Sequence, residues 1–494
     1  MQRRSFLGAT AAVTATLLCE RAWAAIPVPE QLAAVRLGGG ATALKRSDIE
    51  DLRAGLRGPL LFPGEDGYDG ARKVWNAAVD RRPALIARCA GAADIARALQ
   101  FGAAHGLLVA VRGGGHSASG QSVCEGGLMI DLSLMKSVRI DPHRQTARVE
   151  PGVLLGELDR EALAFGLVTT TGMVSHTGAA GLTLGGGSGR LARRFGLAVD
   201  NLTAVDMVPP DGKLRAAGPD ENPDLYWAVR GGSGNFGVVS SLEYRLHPFD
   251  AAVYGGQLHY PFEQAREVLR FFSDFIAAAP DELWICTVIG AIETGQRTVS
   301  FDICYSGPLA TGERLLRPLR EFRKPMRDEV GPVSYATLQT HGDIEGRHGL
   351  HRYQTSGYTL GYEHALVDAM LAQFEDPDAI PLRILIMPWG GGAIARVAPT
   401  ATAYWHRDVR WNIGFASSWQ GGGDADAHKQ RVRKAWSAIE PLTHGFYANS
   451  LTERGVESMR GTYGDNYERL ARIKKKYDPG NLLRMNANVL PAGA

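Results

Sequence analysis

Residues 111–120 read VRGGGHSASG and place three consecutive glycines between an arginine and a histidine. Runs of glycine allow a backbone to pass close to a ligand, often a phosphate, because no Cβ stands in the way. A phosphate loop has no need of an imidazole, so His116 requires a separate explanation. The stretch therefore predicts a ligand site at which the histidine performs chemistry of its own.

Further glycine clusters lie within residues 171–202 and 229–248. Glycine makes up 60 of the 494 residues, about 12% against an average of about 7%. Because consecutive glycine amides form nests that bind phosphate oxygens, the clusters predict several loops that converge on one extended ligand with two phosphates.

The segment GGGSGRLARRFG, residues 185–196, invites comparison with a Rossmann dinucleotide fingerprint. That fingerprint requires a buried strand immediately before it and a helix that opens at the third glycine. Here the preceding residues 173–184 read MVSHTGAAGLTL and are too interrupted by glycine for such a strand. The sequence therefore disfavours a nicotinamide-binding Rossmann domain.

The first half of the chain alternates strand and helix patterns. Ala84–Cys89 and Leu107–Arg112 are apolar runs typical of strands, and Ala92–His105 between them has helical spacing with Ile95 and Leu99 on one face. A hairpin around Asp141-Pro142 and a helix over residues 153–166 are expected next. These patterns predict a mixed α+β fold.

The pattern changes near residue 249. Residues 249–440 have few glycine runs, at 390–392 and 421–423, and they contain period-2 strands such as TVSFDICYSG and amphipathic helices such as FEQAREVLRFFSDFIAAA. We therefore expect a domain boundary near residue 249.

Charge and hydropathy exclude several classes of protein. The formal net charge is +2, and basic and aromatic residues are not interleaved as in nucleic-acid-binding proteins. The basic run from Arg472 to Lys476 is interpreted as a solvated helix face. None of the cysteines lies in a C-x-x-C or other metal-ligand spacing, so no metal site is expected.

Residues 1–24 resemble a secretory signal of the twin-arginine type. Arg3 and Arg4 precede an apolar run that ends in Ala22-Trp23-Ala24, an A-x-A-like cleavage site. We therefore expect a periplasmic or secreted protein that has no membrane segment after cleavage. Export by this route would carry the protein already folded, with its cofactor in place.

Four cysteines remain after residue 24. Cys286 and Cys304 lie in strand-like runs, where either an inter-strand disulfide or two buried free thiols would be consistent with the sequence.

Four segments together closely resemble one flavoprotein family. They are the RGGGHS run at 112–117, the segment 172–202, LYWAVRGGSGNFGVV at 225–239 and the C-terminal segment 463–489. In this order they resemble the FAD-linked oxidases of the berberine bridge enzyme-like group, within the vanillyl-alcohol oxidase (PCMH-type) flavoprotein superfamily. The resemblance extends from about Trp75 to Val489.

The resemblance implies an α+β fold in which a PCMH-type FAD-binding domain is split around an α+β substrate domain with an antiparallel sheet. The implied parts are residues 25–248, the substrate domain at 249–440, and a C-terminal return at 441–494.

The resemblance also implies a covalent bond between His116 and the 8α carbon of FAD. Members with two covalent bonds carry a cysteine where this chain has Val174. Because valine is no nucleophile, we expect a single histidyl linkage. His176 is an additional imidazole that either contacts flavin or substrate or caps the turn.

The resemblance implies cofactor contacts from the glycine-rich loops and from the chain end. The predicted cofactor-binding residues are Arg112, Gly113, Gly114, Gly115, His116, Ser117, Gly172, Val174, Ser175, His176, Thr177, Gly178, Gly181, Gly185, Gly189, Val239, Asn449, Tyr463, Asn486 and Asn488.

GFYANS, residues 445–450, matches a family segment that places a tyrosine beside the substrate, so Tyr447 is the predicted catalytic residue. Its phenol would act as a base or orient the substrate, whereas Tyr463 would support the flavin edge. His406-Arg407 is interpreted as structural, and Trp389 with residues 390–392 as a turn that lines the substrate cavity.

The expected activity is hydride transfer from an alcohol- or sugar-type small molecule to FAD, with dioxygen as acceptor and hydrogen peroxide as product. Two alternatives stay open: a dehydrogenase of the same fold that uses another acceptor, and oxidation of an amine or polyketide-type metabolite. A third reading, a binding protein without turnover, is disfavoured by the complete set of flavin loops together with Tyr447.

Overall fold

The computed structural model describes residues 26–292, 295–376, 380–450 and 459–493. The predicted signal segment, residues 1–24, lies outside these residues. Strands and α-helices are numbered in chain order. The strands are β1 Gln31–Val35, β2 Ala41–Lys45, β3 Leu60–Leu61, β4 Leu85–Arg88, β5 Val109–Arg112, β6 Leu128–Asp131, β7 Val138–Asp141, β8 Thr146–Val149, β9 Leu167–Val168, β10 Leu202–Val208, β11 Arg215–Ala217, β12 Val238–Arg245, β13 His247–Pro248, β14 Ala252–Pro261, β15 Leu283–Ala291, β16 Arg297–Tyr305, β17 Arg327–Asp328, β18 Gly331–Ser334, β19 His351–Thr359, β20 Arg383–Pro388 and β21 Trp411–Trp419.

The helices include both long amphipathic ones and single turns. They are α1 Arg46–Gly55, α2 Tyr68–Ala71, α3 Ala92–Ala104, α4 Leu155–Leu163, α5 Ala179–Leu184, α6 Ala192–Phe195, α7 Pro223–Val229, α8 Ala265–Ala277, α9 Leu309–Glu321, α10 Tyr335–Gln339, α11 His364–Leu371, α12 Gly392–Ala395, α13 Ala425–Ser437, α14 Met459–Tyr463 and α15 Tyr467–Tyr477.

A four-stranded sheet of order β3-β4-β6-β5 contains the predicted strand–helix–strand unit. Strands β4 and β5 both run parallel to β6, which lies between them, and α3 connects β4 to β5. Ile95 and Leu99 on α3 are completely buried, as their spacing predicted. The helix packs between this sheet and strands β10 and β12 of the next one.

The second sheet is antiparallel and has the order β11-β10-β12-β8-β7. The predicted hairpin around Asp141-Pro142 is confirmed, because β7 pairs with β8 in the register Asp141 to Thr146. Helix α4 covers the middle of the expected span 153–166, with Leu155 and Leu158 buried.

The third sheet has eight strands in the order β17-β14-β16-β15-β20-β21-β19, with β18 also paired to β14. Helices α8, α9, α11 and α13 cover one face of it. Alternate residues of the strands point into that layer, where Leu258, Ile285, Phe301, Ile413 and Phe415 are completely buried. The opposite face faces the glycine-rich loops, and it carries polar residues of β14, β16 and β19 beside apolar residues of β15 and β20.

Cys286 and Cys304 are both free and buried. Cys304 pairs across the ladder with Trp284, whereas Cys286 pairs with Asp302, so the two thiols are offset along neighbouring strands. Of the two arrangements open from the sequence, the structure has the free thiols. In the described ranges, no helix combines the length and the apolar character that crossing a membrane requires.

The C-terminal helix α15 corrects one interpretation made from the sequence. Arg472, Lys475 and Lys476 are exposed, but Lys474 is completely buried. Helical spacing places Lys474 on the same face as the buried Leu470 and Tyr477. The interpretation of the basic run as one exposed face did not take this spacing into account.

The buried ammonium of Lys474 joins the chain end to the glycine-rich segment at 229–248. It donates to the backbone oxygens of Asn235 and Leu483 at 2.8 and 2.9 Å and pairs with the Asp478 carboxylate at 2.8 Å. Burial lowers the pKa of Lys474 to about 8, while Asp478 opposes that shift.

Replacing Lys474 is therefore expected to destabilise the fold. In Lys474→Ala the Asp478 carboxylate would be buried without its partner, which costs about 3–5 kcal/mol. Urea unfolding followed by circular dichroism measures this, with Lys475→Ala on the exposed face of the same helix as the matched control. Equal unfolding midpoints for the two variants would contradict the assignment.

Candidate active site

A cavity of about 550 Å³ separates the glycine-rich loops from the polar face of the eight-stranded sheet. Residues 113–119 follow β5, residues 172–184 lead into and through α5, and residues 233–239 lead into β12. The third sheet contributes residues of β14, β15, β16, β19, β20 and β21.

The first loop depends on glycine for a close backbone contact. A Cβ on Gly114 would lie 2.5 Å from the backbone nitrogen and Cα of Gly178, and a Cβ on Gly178 would lie 2.4 Å from the nitrogen of Gly114. Gly115 has φ +68°, a left-handed conformation that favours glycine. The two loops therefore pack backbone against backbone, which no other residue type permits here.

His116 is fixed at the end of this loop by an aromatic stack. Its ring lies 4.2 Å from that of Trp75 at an interplanar angle of 20°. Burial, together with the smaller effects of the neighbouring His176, His348 and Arg352, lowers its pKa to about 3. His116 is therefore a neutral imidazole at physiological pH, and its Nε2 is buried without a hydrogen-bond partner among the described residues.

The segment around Val174 docks onto residues 340–348. Ser175 donates to the carboxylate of Asp343 through its backbone nitrogen at 2.8 Å and its hydroxyl at 2.6 Å. Val174 lines the cavity, and its methyl groups lie within 3.3 Å of where Cβ atoms on Gly342 and Gly346 would stand. The side chain is apolar at the position where a second covalent bond would require a nucleophile.

The glycine cluster at residues 185–189 packs against protein. A Cβ on Gly185 would lie 2.2 Å from Oδ1 of Asn449, and one on Gly189 would lie 1.9 Å from the backbone oxygen of Thr171. Neither residue lines the cavity. Close packing against protein atoms explains why glycine occupies these two positions. The sequence pattern alone could not distinguish such packing from contact with a ligand.

Tyr447 lines the cavity and is held by two donors. The backbone nitrogen of Gly187 donates to its hydroxyl oxygen at 3.1 Å, and Nδ2 of Asn449 donates at 2.9 Å. Its ring packs on that of Trp389 at 4.6 Å. Burial raises the pKa of Tyr447 to about 12, although both donors lower it. Tyr447 is therefore a phenol at neutral pH.

The chain end contributes an unpartnered amide oxygen. Asn486 lines the cavity and donates through Nδ2 to the backbone oxygen of Leu483 at 2.9 Å, which leaves its Oδ1 buried without a partner among the described residues. Tyr463 lies outside the lining and donates to the backbone oxygen of Ala487 at 2.7 Å. Tyr463 thus holds the segment that carries Asn486.

The structure brings most of the predicted site residues to one cavity. The lining includes Gly113, Gly114, Gly115, His116, Ser117, Gly172, Val174, Thr177, Gly178, Gly181, Val239, Tyr447, Asn449 and Asn486. The others lie behind this lining; they are Arg112, Ser175, His176, Gly185, Gly189, Tyr463 and Asn488. Their contacts with a cofactor stay predictions.

Two motifs of the substrate domain, His406-Arg407 and Trp389 with residues 390–392, lie in different surroundings in the structure. Arg407 forms a two-point ion pair with Asp200 at 2.8 Å, and His406 hydrogen-bonds with the backbone oxygen of Gly461 at 2.8 Å, which agrees with their structural interpretation. Trp389 lines the cavity as expected. Residues 390–392 do not, because a Cβ on Gly390 would lie 1.6 Å from the backbone oxygen of Val409.

Sequence reasoning missed the polar surface that the third sheet turns toward the loops. His259 hydrogen-bonds with Ser300 at 2.7 Å and Gln257 at 3.2 Å, and all three line the cavity. Asp302 pairs with Arg190 at 2.6 Å, while its Oδ1 is buried without a partner in the described chain. The only signal was the alternation of polar residues along strands such as QLH and SFD.

The comparisons with known proteins agree with this geometry. A family model described as FAD binding domain matches residues 83–218, and one described as berberine and berberine like matches residues 455–490. The (R)-6-hydroxynicotine oxidase of Paenarthrobacter nicotinovorans is 30% identical over 459 residues, covering 89% of this chain and 98% of that protein. The chain belongs to the berberine bridge enzyme-like family. It is an FAD-linked oxidoreductase.

Other relatives and solved structures support the same family. The chitooligosaccharide oxidase of Gibberella zeae is 28% identical over 488 residues, covering 91% of this chain and 96% of that protein. The crystal structure of 6-hydroxy-D-nicotine oxidase from Arthrobacter nicotinovorans superposes with a TM-score of 0.80 at 28% identity, covering 88% of this chain and 98% of that one. A Physcomitrella patens BBE-like protein has the same fold, with a TM-score of 0.82 at 22% identity and coverage of 90% and 99%. The fold is the α+β, PCMH-type fold expected from the sequence.

The residues present fit FAD as a ligand of the cavity. The unpartnered buried atoms at its wall include both acceptors and hydroxyl groups: His116 Nε2, Ser122 Oγ, Ser233 Oγ and Asn486 Oδ1. Gly181 opens toward free space, since a Cβ there would meet nothing within 4 Å. These groups match the hydroxyl, phosphate and ring functions of the cofactor, while no cluster of metal ligands occurs among the described residues.

A buried hydrogen-bond network supports the second loop from behind. Asp159 on α4 accepts from Thr171 at 3.0 Å and from Nε2 of Gln339 at 3.0 Å. Gln339 in turn accepts from Arg190 at 2.8 Å, and Arg190 pairs with Asp302 at the cavity wall. Burial raises the pKa of Asp159 to about 6, against the effect of these donors.

This network predicts a pH-dependent stability. Because the folded-state pKa of Asp159 lies above its unfolded value, the folded state binds more protons between about pH 4 and 6, and the unfolding free energy falls as pH rises through that window. The contribution is at most about 3 kcal/mol, from ~1.4 kcal/mol per pKa unit. Asp159→Asn, which resembles the protonated acid, is expected to match wild type at pH 4 and to exceed it at pH 7 in thermal unfolding. A constant difference between the two proteins across this range would refute the assignment.

Proposed function

We propose that this protein is a flavin oxidase acting on an alcohol- or sugar-type small molecule. Dioxygen is the proposed electron acceptor and hydrogen peroxide the proposed product. The observation that carries the proposal is the Tyr447 hydroxyl, which lies at the wall of a cavity with a polar sheet surface and accepts two hydrogen bonds from the protein.

FAD would be held between the glycine-rich loops and the chain end. When bound, it supplies the acceptor for a hydride taken from the substrate carbon. Gly113, Gly114 and Gly178 allow the close approach of backbone amides, and Ser117 and Asn486 add polar groups at the same wall.

His116 is the proposed point of covalent attachment. Its neutral ring has the free electron pair that a nucleophile needs, and the Trp75 stack fixes the ring plane. Val174 has no nucleophilic atom. Of the cysteines in the described ranges, only Cys286 lines the cavity, and burial raises the pKa of its thiol so that it stays protonated. These properties support a single histidyl linkage.

Tyr447 is proposed to orient the substrate hydroxyl. Both of its hydrogen-bond partners donate to the phenol oxygen, so the phenol hydrogen is available to a substrate oxygen in the cavity. The same two donors stabilise negative charge on that oxygen, which would assist proton transfer while hydride leaves the carbon.

The sheet surface favours a neutral, hydroxyl-rich donor. Gln257, His259 and Ser300 offer hydrogen bonds, and the Asp302 carboxylate is balanced by Arg190. The chitooligosaccharide oxidase among the relatives agrees with such a donor. An amine donor is the second candidate, because a relative at 30% identity is named for 6-hydroxynicotine.

Residues 1–24 support export by the twin-arginine route to the periplasm or the medium. The basic pair, the apolar run and the small residues at the expected cleavage site carry this proposal.

A substrate panel tests the proposed activity directly. Purified holoprotein is mixed anaerobically with sugars, aromatic alcohols and cyclic amines, and bleaching of the flavin absorbance is followed. We expect sugars or alcohols to bleach the flavin, and air to restore its colour with formation of peroxide. Bleaching by amines alone would contradict the donor class. Recovery with a dye but not with air would contradict the oxidase assignment and favour a dehydrogenase.

Tyr447→Phe is expected to slow flavin reduction by about 10²–10³-fold, which is typical for the loss of one positioned hydrogen-bonding or acid–base group. Stopped-flow absorbance under nitrogen measures the rate. Tyr226→Phe is the matched control, because the Tyr226 hydroxyl donates to the backbone oxygen of Leu202 away from the cavity. Rates within twofold of wild type for Tyr447→Phe would remove this residue from the chemical step.

A further inference from the structure

Two polar residues lie side by side on neighbouring strands at the cavity wall. Gln257 on β14 pairs in register with Asp302 on β16, and both line the cavity. Directly opposed residues of antiparallel strands extend from the same face of the sheet, with Cβ atoms about 5 Å apart. An amide and a carboxylate are therefore within reach of the same part of a ligand.

A chain of hydrogen bonds fixes which atom of the Gln257 amide faces the cavity. Oε1 of Gln257 lies 3.2 Å from Nε2 of His259, and Nδ1 of His259 lies 2.7 Å from Oγ of Ser300. Burial lowers the pKa of His259, so at physiological pH its neutral ring has one donor and one acceptor nitrogen. Because an amide oxygen only accepts, Nε2 donates to Gln257 and Nδ1 accepts from Ser300.

This arrangement leaves a donor and an acceptor for a ligand. The NH2 group of Gln257 has no acceptor among the described residues, and the side chain is only partly buried. Within the same ranges the Asp302 carboxylate accepts from Arg190 alone, at 2.6 Å, whereas a carboxylate can accept about four hydrogen bonds. The Asp302 side chain is 17% exposed, so its remaining capacity can be reached from the cavity.

The pair is remote from Tyr447. Met387 on β20 packs against the cluster of aromatic residues that contains Tyr447 and Trp389. Strand β15 lies between β16 and β20, so Asp302 is displaced across the sheet by two strand spacings, about 10 Å. A group bound there belongs to a part of the substrate away from the reacting carbon. Such a contact changes affinity and the choice of donor more than it changes the chemical step.

We propose that Gln257 and Asp302 select donors that carry a vicinal diol, a role that rests on the proposed function. The amide NH2 donates to the oxygen of one hydroxyl, and the carboxylate accepts from the neighbouring hydroxyl. The donor class is thereby narrowed from alcohols and sugars to neutral polyols.

Other donors use this pair less completely. A cationic amine pairs with the carboxylate but offers no acceptor to the Gln257 amide. A donor with one hydroxyl leaves one of the two groups without a partner, and an unpaired polar group in a binding site weakens binding. Arg190 offsets the charge of Asp302, which favours a neutral partner over a cation.

The test separates binding from the chemical step. Gln257→Glu keeps an oxygen for His259 but replaces the donor NH2 group with an acceptor, and Gln257→Met removes both functions. Gln420→Met, at an exposed residue just after β21, is the matched control. Each holoprotein is mixed under nitrogen with glucose, cellobiose or benzyl alcohol. Stopped-flow absorbance then gives the dissociation constant of the donor and the limiting rate of flavin reduction.

We expect both Gln257 variants to bind the sugars about tenfold more weakly than wild type, as for the loss of one hydrogen-bonded contact. Their limiting rates, and their affinity for benzyl alcohol, are expected to stay within about twofold of wild type. A general disturbance of the cavity would weaken benzyl alcohol equally, and that result would overturn the proposal. Sugar affinities equal to those of Gln420→Met would also overturn it, as would a lower limiting rate at unchanged affinity.

The wild type alone distinguishes this proposal from the proposed function. Reduction of its flavin by benzyl alcohol but by neither sugar would refute selection of a diol and leave the oxidase of alcohols intact. Reduction by none of the three donors would contradict both.

Discussion

The contact between Gly114 and Gly178 is the constraint on which the site depends. Two loops from different parts of the chain meet there backbone to backbone, at a distance that a single Cβ would not allow. The contact fixes the end of β5, and with it His116, relative to the start of α5. Everything that follows α5, up to the Gly187 amide that holds Tyr447, is positioned from this point.

Buried polar groups join the other parts of the molecule to that frame. Arg190 connects the second loop to Asp302 on the eight-stranded sheet, and Gln339 connects the same arginine to Asp159 on α4. At the chain end, the buried Lys474 joins two further segments, because it donates to the backbone oxygens of Asn235 and Leu483. Hydrogen bonds of this kind are strong inside a protein and costly to leave incomplete, so they specify one relative arrangement of sheet and loops.

How well an element of the fold could be predicted depends on how far apart in sequence its interacting residues lie. Local patterns were sufficient for α3 and for the β7–β8 hairpin, because helical spacing and turn residues act over a few positions. They could not show that β6 lies between β4 and β5, since that order is decided by contacts distant in sequence. Lys474 was misread because its burial depends on partners outside its own helix.

In the site, too, local motifs could be recognised from the sequence, whereas contacts between distant residues could not. The RGGGHS run and GFYANS were recognisable as motifs, and the structure places His116 and Tyr447 at one cavity. Glycine alone did not reveal whether a position meets ligand or protein, so Gly185 and Gly189 could not be told from Gly181. The polar surface of the sheet was missed because an alternating strand looks the same whether it faces solvent or a substrate.

The most direct test of the account is the mass of the proteolytic peptide that contains His116. If His116 is the single attachment point, this peptide carries the mass of FAD less two hydrogen atoms, and fragmentation places the addition on the histidine. Flavin on another peptide, or an unmodified His116 peptide from yellow holoprotein, would contradict the account.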